Sequence, residues 1–188
     1  FLLALFALML PALALAGDGS GEIQNQPTVD LLFEGFESFG FPPSGWEKIH
    51  LGSSFSWSWT TSNQNTGQGA AYVRNGSAGN FQDEYLVSPA LDFSYNLMPR
   101  VGWFEEEVNW ASRGGTHYIM VSTTSQSDPE AFEVVAEMTP ENHTIGGFGG
   151  TQIEVDLSAY AGEPTVYVAF RYVGDYADYW FIDDVKVF

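Results

Sequence analysis

Short stretches in which apolar and polar residues alternate make up the chain from Asp30 onward. In FSWSWT (55–60) the aromatic rings occupy every second position, so one face of an extended segment would bury three rings while the other shows hydroxyl groups. Similar runs are HYIMVS (117–122), FEVV (132–135), QIEVDL (152–157) and TVYVAFRYV (165–173). Roughly ten or eleven such runs at intervals of about 8–15 residues predict an all-β sandwich of antiparallel sheets over residues 30–188.

Breaks between these runs are rich in glycine and proline, as expected of turns that pass the chain from one strand to the next. PPSG (42–45), NG (75–76) and GGFGG (146–150) are the clearest examples. No pattern with the 3.6-residue period of a helix follows the amino-terminal segment. The sequence therefore predicts one β domain without an internal repeat.

The amino-terminal segment 1–16, FLLALFALMLPALALA, carries no charge and ends in Ala-Leu-Ala before Gly17. Its length and its small residues at the end are typical of a secretory signal peptide, here truncated at its start because it lacks an initiating Met and a basic region. Residues 17–29 are polar and Gly-rich, which favours a linker. We expect the mature chain to be secreted or on the cell surface, with no stable membrane insertion. The alternative is a fibre subunit that retains segment 1–16 as an apolar helix.

Composition excludes several classes of protein. The 188 residues include no cysteine, which rules out disulfides, zinc ribbons and thiol nucleophiles. With 24 acidic and 6 basic residues the net charge is −18, and such a chain repels nucleic-acid phosphates and anionic membranes. We therefore expect no nucleic-acid partner.

Catalytic motifs are missing. The three histidines, His50, His117 and His143, lie far apart in sequence, and no HExxH, G-x-S-x-G or phosphate-binding loop occurs. The many acidic residues are compatible with a catalytic pair of carboxylates for glycoside hydrolysis, but a solvated anionic surface is the simpler explanation of their number. The sequence predicts a protein that is not an enzyme.

The last strand, YWFIDDVKV (179–187), suggests a metal site. Strict alternation puts Phe181, Asp183, Val185 and Val187 on one face, so Asp183 is expected to point into the core. A buried carboxylate must be protonated, paired or bound to a cation. Because Lys186 falls on the opposite face, a divalent cation is a reasonable partner.

Calcium suits such a site, since it accepts carboxylate and carbonyl oxygens without strict geometry. Further ligands would come from acids at strand edges, namely Glu34, Glu37, Asp83 and Glu84. The alternative, equally compatible with the pattern, is that Asp183 accepts hydrogen bonds from backbone amides or a tyrosine hydroxyl.

Several motifs resemble those of one family in order and spacing. They are FEGFE (33–37), PPSGW (42–46), Trp59, YLVSPAL (85–91), VDLSAYAG (155–162), VYVAFRY (166–172) and WFIDDV (180–185). In these the chain resembles the cleaved-adhesin and choice-of-anchor J group of bacterial surface domains, which are similar to MAM domains. The resemblance covers about residues 31–188 and lacks the disulfides of many MAM domains.

The resemblance implies a jelly-roll-like β-sandwich with structural calcium near its paired first and last strands. It places Glu37 and Asp183 at the acids of the FE and IDDV motifs, and Asp83 at the acid that precedes the LVSP strand. It also implies adhesion as the function.

Aromatic and acidic residues in two further segments suggest a ligand site. Segment 174–179 contains Tyr176 and Asp178, and segment 103–110 ends in Trp110. Sugars stack on exposed rings while polar neighbours bind their hydroxyls. The alternative is that these rings belong to the core of the sheets.

Together these features predict a non-catalytic extracellular module that binds a glycan or a protein and is stabilised by calcium. An accessory carbohydrate- or substrate-binding domain of a larger secreted hydrolase is the alternative function.

Overall fold

Eleven β-strands form two antiparallel sheets in the computed structural model, which describes residues 30–52, 55–143 and 150–188. The predicted signal peptide and linker lie outside the described residues. The first strands are β1 Leu32–Glu34, β2 Glu47–His50, β3 Ser58–Thr60, β4 Ala70–Arg74, β5 Phe81–Val87 and β6 Arg100–Val108. Helix α1 (Trp110–Arg113) follows, and the remaining strands are β7 Thr116–Ser122, β8 Glu133–Met138, β9 Thr151–Asp156, β10 Tyr167–Asp175 and β11 Tyr179–Val187.

The six-stranded sheet has the order β3-β4-β11-β6-β9, and β1 also pairs with β11. The five-stranded sheet has the order β2-β5-β10-β7-β8. Both halves of β11 have β6 on one side, whereas on the other side β4 pairs with residues 179–182 and β1 with residues 185–187. This change of neighbour in the middle of β11 leaves room for a loop. The predicted all-β sandwich is confirmed.

Aromatic side chains from both sheets fill the space between them. Trp180 of β11 packs against Trp57 at a ring-centre distance of 5.3 Å, and Trp103 of β6 packs edge-on against Phe170 of β10 at 5.3 Å. Burial of such rings is the dominant stabilising term of a sandwich that has no disulfide. The strands alternate as predicted because every second side chain has to reach this layer.

Segment 55–60 departs from the prediction. Only Ser58–Thr60 forms a strand, and the three rings do not share one buried face, since Trp57 is fully buried while Phe55 is 40% exposed. Strand β3 is short, and each of its three residues pairs with a residue of β4.

Strand β11 contains a β-bulge between Asp183 and Lys186, at which Asp184 adopts a left-handed backbone conformation (φ 47°). The extra residue reverses the alternation, so Val185 joins Ile182 in the main core. Asp183 falls on the other face of β11, the outer face of the six-stranded sheet. Asp183 is fully buried, as predicted, but on this outer face and not in the core between the sheets, because strict alternation does not hold across the bulge.

Helix α1 has only four residues and closes one end of the sandwich. It begins after Asn109, whose backbone is left-handed (φ 74°), and a segment this short leaves no periodic signal in the sequence. Of the residues that the structure describes, none belongs to a helix long and apolar enough to cross a membrane.

Candidate functional site

Asp183 lies where β11 changes its neighbour from β4 to β1, and it is fully buried by the loop that precedes β4. Its Oδ2 accepts hydrogen bonds from the amides of Asn65 (2.8 Å) and Thr66 (3.1 Å), and its Oδ1 accepts one from the amide of Asp184 (2.7 Å). Burial raises the pKa of Asp183 to about 6, although these amides act in the opposite direction. The backbone-amide alternative from the sequence thus describes how this carboxylate is held.

Two further carboxylates, those of Glu37 and Asp184, accept hydrogen bonds from the same loop, and a third, that of Glu34, lies near Glu37. The Glu37 carboxylate accepts a hydrogen bond from the Gln68 amide (2.6 Å), while that of Asp184 accepts from the Asn65 amide group and the Thr66 hydroxyl (2.7 Å each). Glu34 lies at the end of β1 and accepts from the Phe36 amide (2.7 Å). We call Glu34, Glu37, Asp183 and Asp184 the acidic cluster.

Two glycines without side chains leave space for the carboxylates of the acidic cluster. A Cβ at Gly35 would lie 3.4 Å from Glu37 Oε1 and 3.5 Å from Asp184 Oδ1, which places both carboxylates beside this residue. A Cβ at Gly67, which is left-handed (φ 63°), would collide with the Glu37 carboxylate. Burial, followed by the neighbouring charge of Glu37, raises the pKa of Glu34. Within the described ranges no lysine, arginine or histidine pairs with the cluster.

Asp83 and Glu84, the other acids considered for calcium, lie on the five-stranded sheet. Asp83 forms a two-pronged ion pair with Arg171 on its outer face (2.7 and 2.8 Å), so the structure does not bring it into the acidic cluster. Glu84 is buried and contacts His50 Nδ1 at 2.7 Å. Each of these two carboxylates already has a basic partner.

A surface cavity of about 440 Å³ lies beside α1, whose residues form part of its wall. Tyr176, one of the predicted ligand residues, is 45% exposed there, and the Arg113 guanidinium lies 4.5 Å from the centre of its ring. Trp110 lines the same cavity and is mostly buried. The other lining residues are Ala111, Ser112, Gly114, Pro140, Glu141 and Asp175.

Left-handed backbone conformations occur on both sides of this cavity, at Asn109 (φ 74°) and at Tyr176 (φ 50°). Such conformations are costly for residues other than glycine and are concentrated at functional sites. They turn the chain so that Trp110 and Tyr176, which are far apart in sequence, line one cavity.

Asp178, the third predicted ligand residue, lies beneath the cavity and is fully buried, so it is not available to a sugar. Its Oδ1 accepts a hydrogen bond from the Gly115 amide (2.8 Å), and its Oδ2 lies 3.0 Å from His117 Nε2. His117 Nδ1 in turn lies 2.8 Å from Glu107 Oε1. The side chains of Glu107, His117 and Asp178 are at most 1% exposed, and we call them the buried triad.

Two carboxylates of the buried triad have shifted pKa values in opposite directions. Burial, with the nearby carboxylates of Asp178 and Glu105, raises the pKa of Glu107 far above its usual range. Burial acts to raise the pKa of Asp178 as well, but the charge of His117 and contacts with His117, Glu107 and the Gly115 amide outweigh it and bring the pKa to about 2.

Sequence reasoning missed Glu107 and His117. The two-residue alternation of the strands could have found them. His117 lies on the same inward face of β7 as Ile119 and Val121, and Glu107 lies on the same inward face of β6 as Trp103. Two polar residues at core positions of adjacent segments are a reason to look for a buried site.

A family model described as the Cleaved Adhesin Domain matches residues 29–187. The chain belongs to this family. The K2 cleaved adhesin domain of Lys-gingipain (Kgp) is similar in structure, with a TM-score of 0.66 and 24% identity over 84% of this chain and 97% of that one. The K1 cleaved adhesin domain of the same protein, from Porphyromonas gingivalis W83, gives 0.64 and 24% over 84% and 96%.

A carbohydrate-binding module, TmCBM61 in complex with β-1,4-galactotriose, has the same fold, with a TM-score of 0.58 and 17% identity over 86% of this chain and 99% of that one. No curated protein matches the sequence. The predicted cleaved-adhesin relationship is confirmed, and the match describes an adhesion or binding module.

Proposed function

We propose that this cleaved adhesin domain is a non-catalytic extracellular module that binds a glycan in the cavity lined by Trp110 and Tyr176. The observation that carries the proposal is the exposed Tyr176 ring in a cavity that Arg113, Glu141 and Asp175 also line. Sugar rings stack their apolar faces on aromatic rings and give their hydroxyls to charged groups around them.

Backbone geometry supports the same cavity. The left-handed residue at Tyr176 directs its ring outward, and the Arg113 guanidinium fixes one side of the ring. A ring held in place loses little conformational entropy when a ligand stacks on it. TmCBM61, which is similar in fold alone, is described in complex with a galactotriose.

The experiment that tests this proposal is a glycan array followed by calorimetric titration of the strongest glycan. Tyr176→Ala is expected to weaken binding at least tenfold. Tyr95→Ala is the matched control, since Tyr95 is 97% exposed and lies outside the cavity, and it should leave affinity unchanged. Equal affinity of both variants would place the glycan elsewhere, and an array without any bound glycan would favour a protein ligand.

We also propose that the acidic cluster holds calcium. Glu37, Asp183 and Asp184 accept hydrogen bonds from residues 65–68, and Glu34 lies near Glu37. No basic side chain pairs with these carboxylates within the described ranges, and oxygen is the donor that calcium prefers. Glu34, Glu37, Asp183 and Asp184 would supply the oxygens. Titration of the metal-free chain with Ca²⁺ tests the site, and Glu37→Gln is expected to weaken binding about tenfold or more.

Export to the cell exterior is part of the proposal and depends on segment 1–16. Mass spectrometry of the mature amino terminus should show cleavage after Ala16. A mature protein that keeps this segment would favour the fibre subunit instead.

A further inference from the structure

Two glutamates on the inward face of β6, Glu105 and Glu107, differ in the hydrogen bonds that their carboxylates accept. Glu105 is fully buried and accepts hydrogen bonds from the indole N–H groups of Trp103 and Trp180 (3.0 Å each), while His143 Nε2 lies 2.5 Å from its other oxygen. Glu107, two residues further on, has a side chain only 1% exposed, yet neither of its oxygens has a hydrogen-bond partner. A buried carboxylate without a donor is costly, so this position requires an explanation.

His117 and Asp178 share this property. Both ring nitrogens of His117 and Oδ2 of Asp178 are buried without a hydrogen-bond partner. The contacts of His117 with the two carboxylates are short, 2.8 and 3.0 Å, but the oxygens do not lie in line with a ring N–H as a hydrogen bond requires. Five polar atoms of these three residues therefore lie close together without a well-aligned hydrogen bond.

We infer that the buried triad is a binding site for a divalent transition metal of the zinc class, with Glu107, His117 and Asp178 as its three protein ligands. The donor atoms of the three residues all lie within 4.8 Å of one another. Ligands about 2.0–2.1 Å from one zinc ion lie within about 4.2 Å of each other. Glu107 faces Nδ1 of His117 and Asp178 faces Nε2, so the ion would bind one ring nitrogen, and the carboxylate beside the other nitrogen has to turn toward it.

The choice of metal follows from the donors and their surroundings. One imidazole nitrogen with two carboxylate oxygens suits zinc, whereas calcium takes six to eight oxygens. Aromatic rings surround His117: Trp180 stacks on it at 4.0 Å, Trp110 lies at 4.8 Å and Tyr172 at 5.5 Å. Such walls leave room for few waters, which favours a low coordination number.

Further contacts orient the ligands. The Gly115 amide holds Oδ1 of Asp178, and the Tyr172 hydroxyl donates to the backbone carbonyl of Asp178 (2.8 Å), so Oδ2 is left to face His117. Groups that fix a ligand in this way are a regular part of metal sites. Trp110 contacts His117 and also lines the open cavity, which gives the site a side from which an ion can enter.

The test is zinc titration of the chelator-treated full chain in excess Ca²⁺, which saturates the acidic cluster. We expect one Zn²⁺ per chain by elemental analysis and calorimetry, and a higher Tm in its presence. Glu107→Gln and Asp178→Asn keep the shape of the side chains and should each weaken binding about tenfold or more. His50→Gln is the control, because His50 is half exposed and pairs with Glu84, and it should bind like the parent chain.

A second measurement needs no variant. Co²⁺ added to the parent chain should give the visible absorption of a low-coordinate site and quench tryptophan fluorescence, since Trp180 stacks on His117. No stoichiometric Zn²⁺ or Co²⁺ uptake overturns the proposal, as does binding that His50→Gln abolishes. Zinc that binds undiminished to the Glu107→Gln chain, folded by circular dichroism, overturns it as well. Neither result bears on glycan binding at Tyr176.

Discussion

The buried carboxylates of the acidic cluster and those of the buried triad differ in the hydrogen-bond donors around them. In the cluster Asp183 is fully buried but accepts three backbone N–H groups, so its charge is met by peptide dipoles. In the triad Glu107 and Asp178 face one imidazole and leave oxygens without donors. The comparison shows that burial alone does not identify a cation site: the available donors decide how strongly a carboxylate depends on another charge.

Removal of His117 should have the largest effect. In metal-free protein His117→Ala is expected to lower the free energy of unfolding by about 3–5 kcal/mol, because the buried carboxylate of Asp178 loses the charge that compensates it. His50→Ala removes a half-exposed histidine and should cost about 1 kcal/mol or less. Urea unfolding followed by tryptophan fluorescence measures both values, and similar losses would contradict the special role of the triad.

Removal of Asp183 should have an intermediate effect. Asp183→Ala leaves three amides without their acceptor, and a loss of about 1–3 kcal/mol is expected. The rise in Tm caused by Ca²⁺ should also disappear, as measured by calorimetry with and without chelator. An unchanged calcium response would show that the ion, if bound, does not use the acidic cluster.

A smaller effect is expected from pH. The pKa of Asp183 in the folded metal-free chain is raised to about 6, so the folded state holds this proton more tightly than the unfolded state does. The contribution of Asp183 to stability is therefore present at low pH and is lost as the pH rises through about 6. Unfolding at a series of pH values should show this loss in the parent chain and less of it in Asp183→Asn. Calcium should reduce it, since the ion favours the ionised carboxylate.

The smallest effect is expected at Asp83. Its ion pair with Arg171 lies on the outer face of the five-stranded sheet, and pairs near the surface contribute about 1 kcal/mol or less. Asp83→Asn should therefore lower stability slightly and leave the Ca²⁺ response unchanged. A lost response would return Asp83 to the calcium ligands that the family resemblance implied.

Much of the fold could be predicted because period-two alternation is a local property. The runs at 117–122, 152–157 and 165–173 became β7, β9 and β10 within one or two residues. Helix α1 could not be predicted, since four residues carry no helical period. The bulge at Asp184 was missed for a related reason: one left-handed residue reverses the faces of β11 without changing its composition.

The candidate sites were predictable only in part. Trp110 and Tyr176, predicted as ligand residues from two separate segments, line one cavity, whereas Asp178, only two residues after the exposed Tyr176, is fully buried. Glu37 and Asp183 accept hydrogen bonds from one loop and Glu34 lies near Glu37, whereas Asp83 pairs with Arg171. Their grouping depends on pairing between β1 and β11, which lie at opposite ends of the described chain.

The sequence by itself determined the β-sandwich, its family and the excess of acidic residues, because alternation, motif order and charge are written along the chain. Only the tertiary structure decided which acidic side chains accept hydrogen bonds from backbone amides, which form an ion pair with an arginine and which face a histidine. The physical reason is that a carboxylate is satisfied by donors from distant strands, as Glu107 and Asp178 meet at His117, and their distances are fixed by packing of the two sheets.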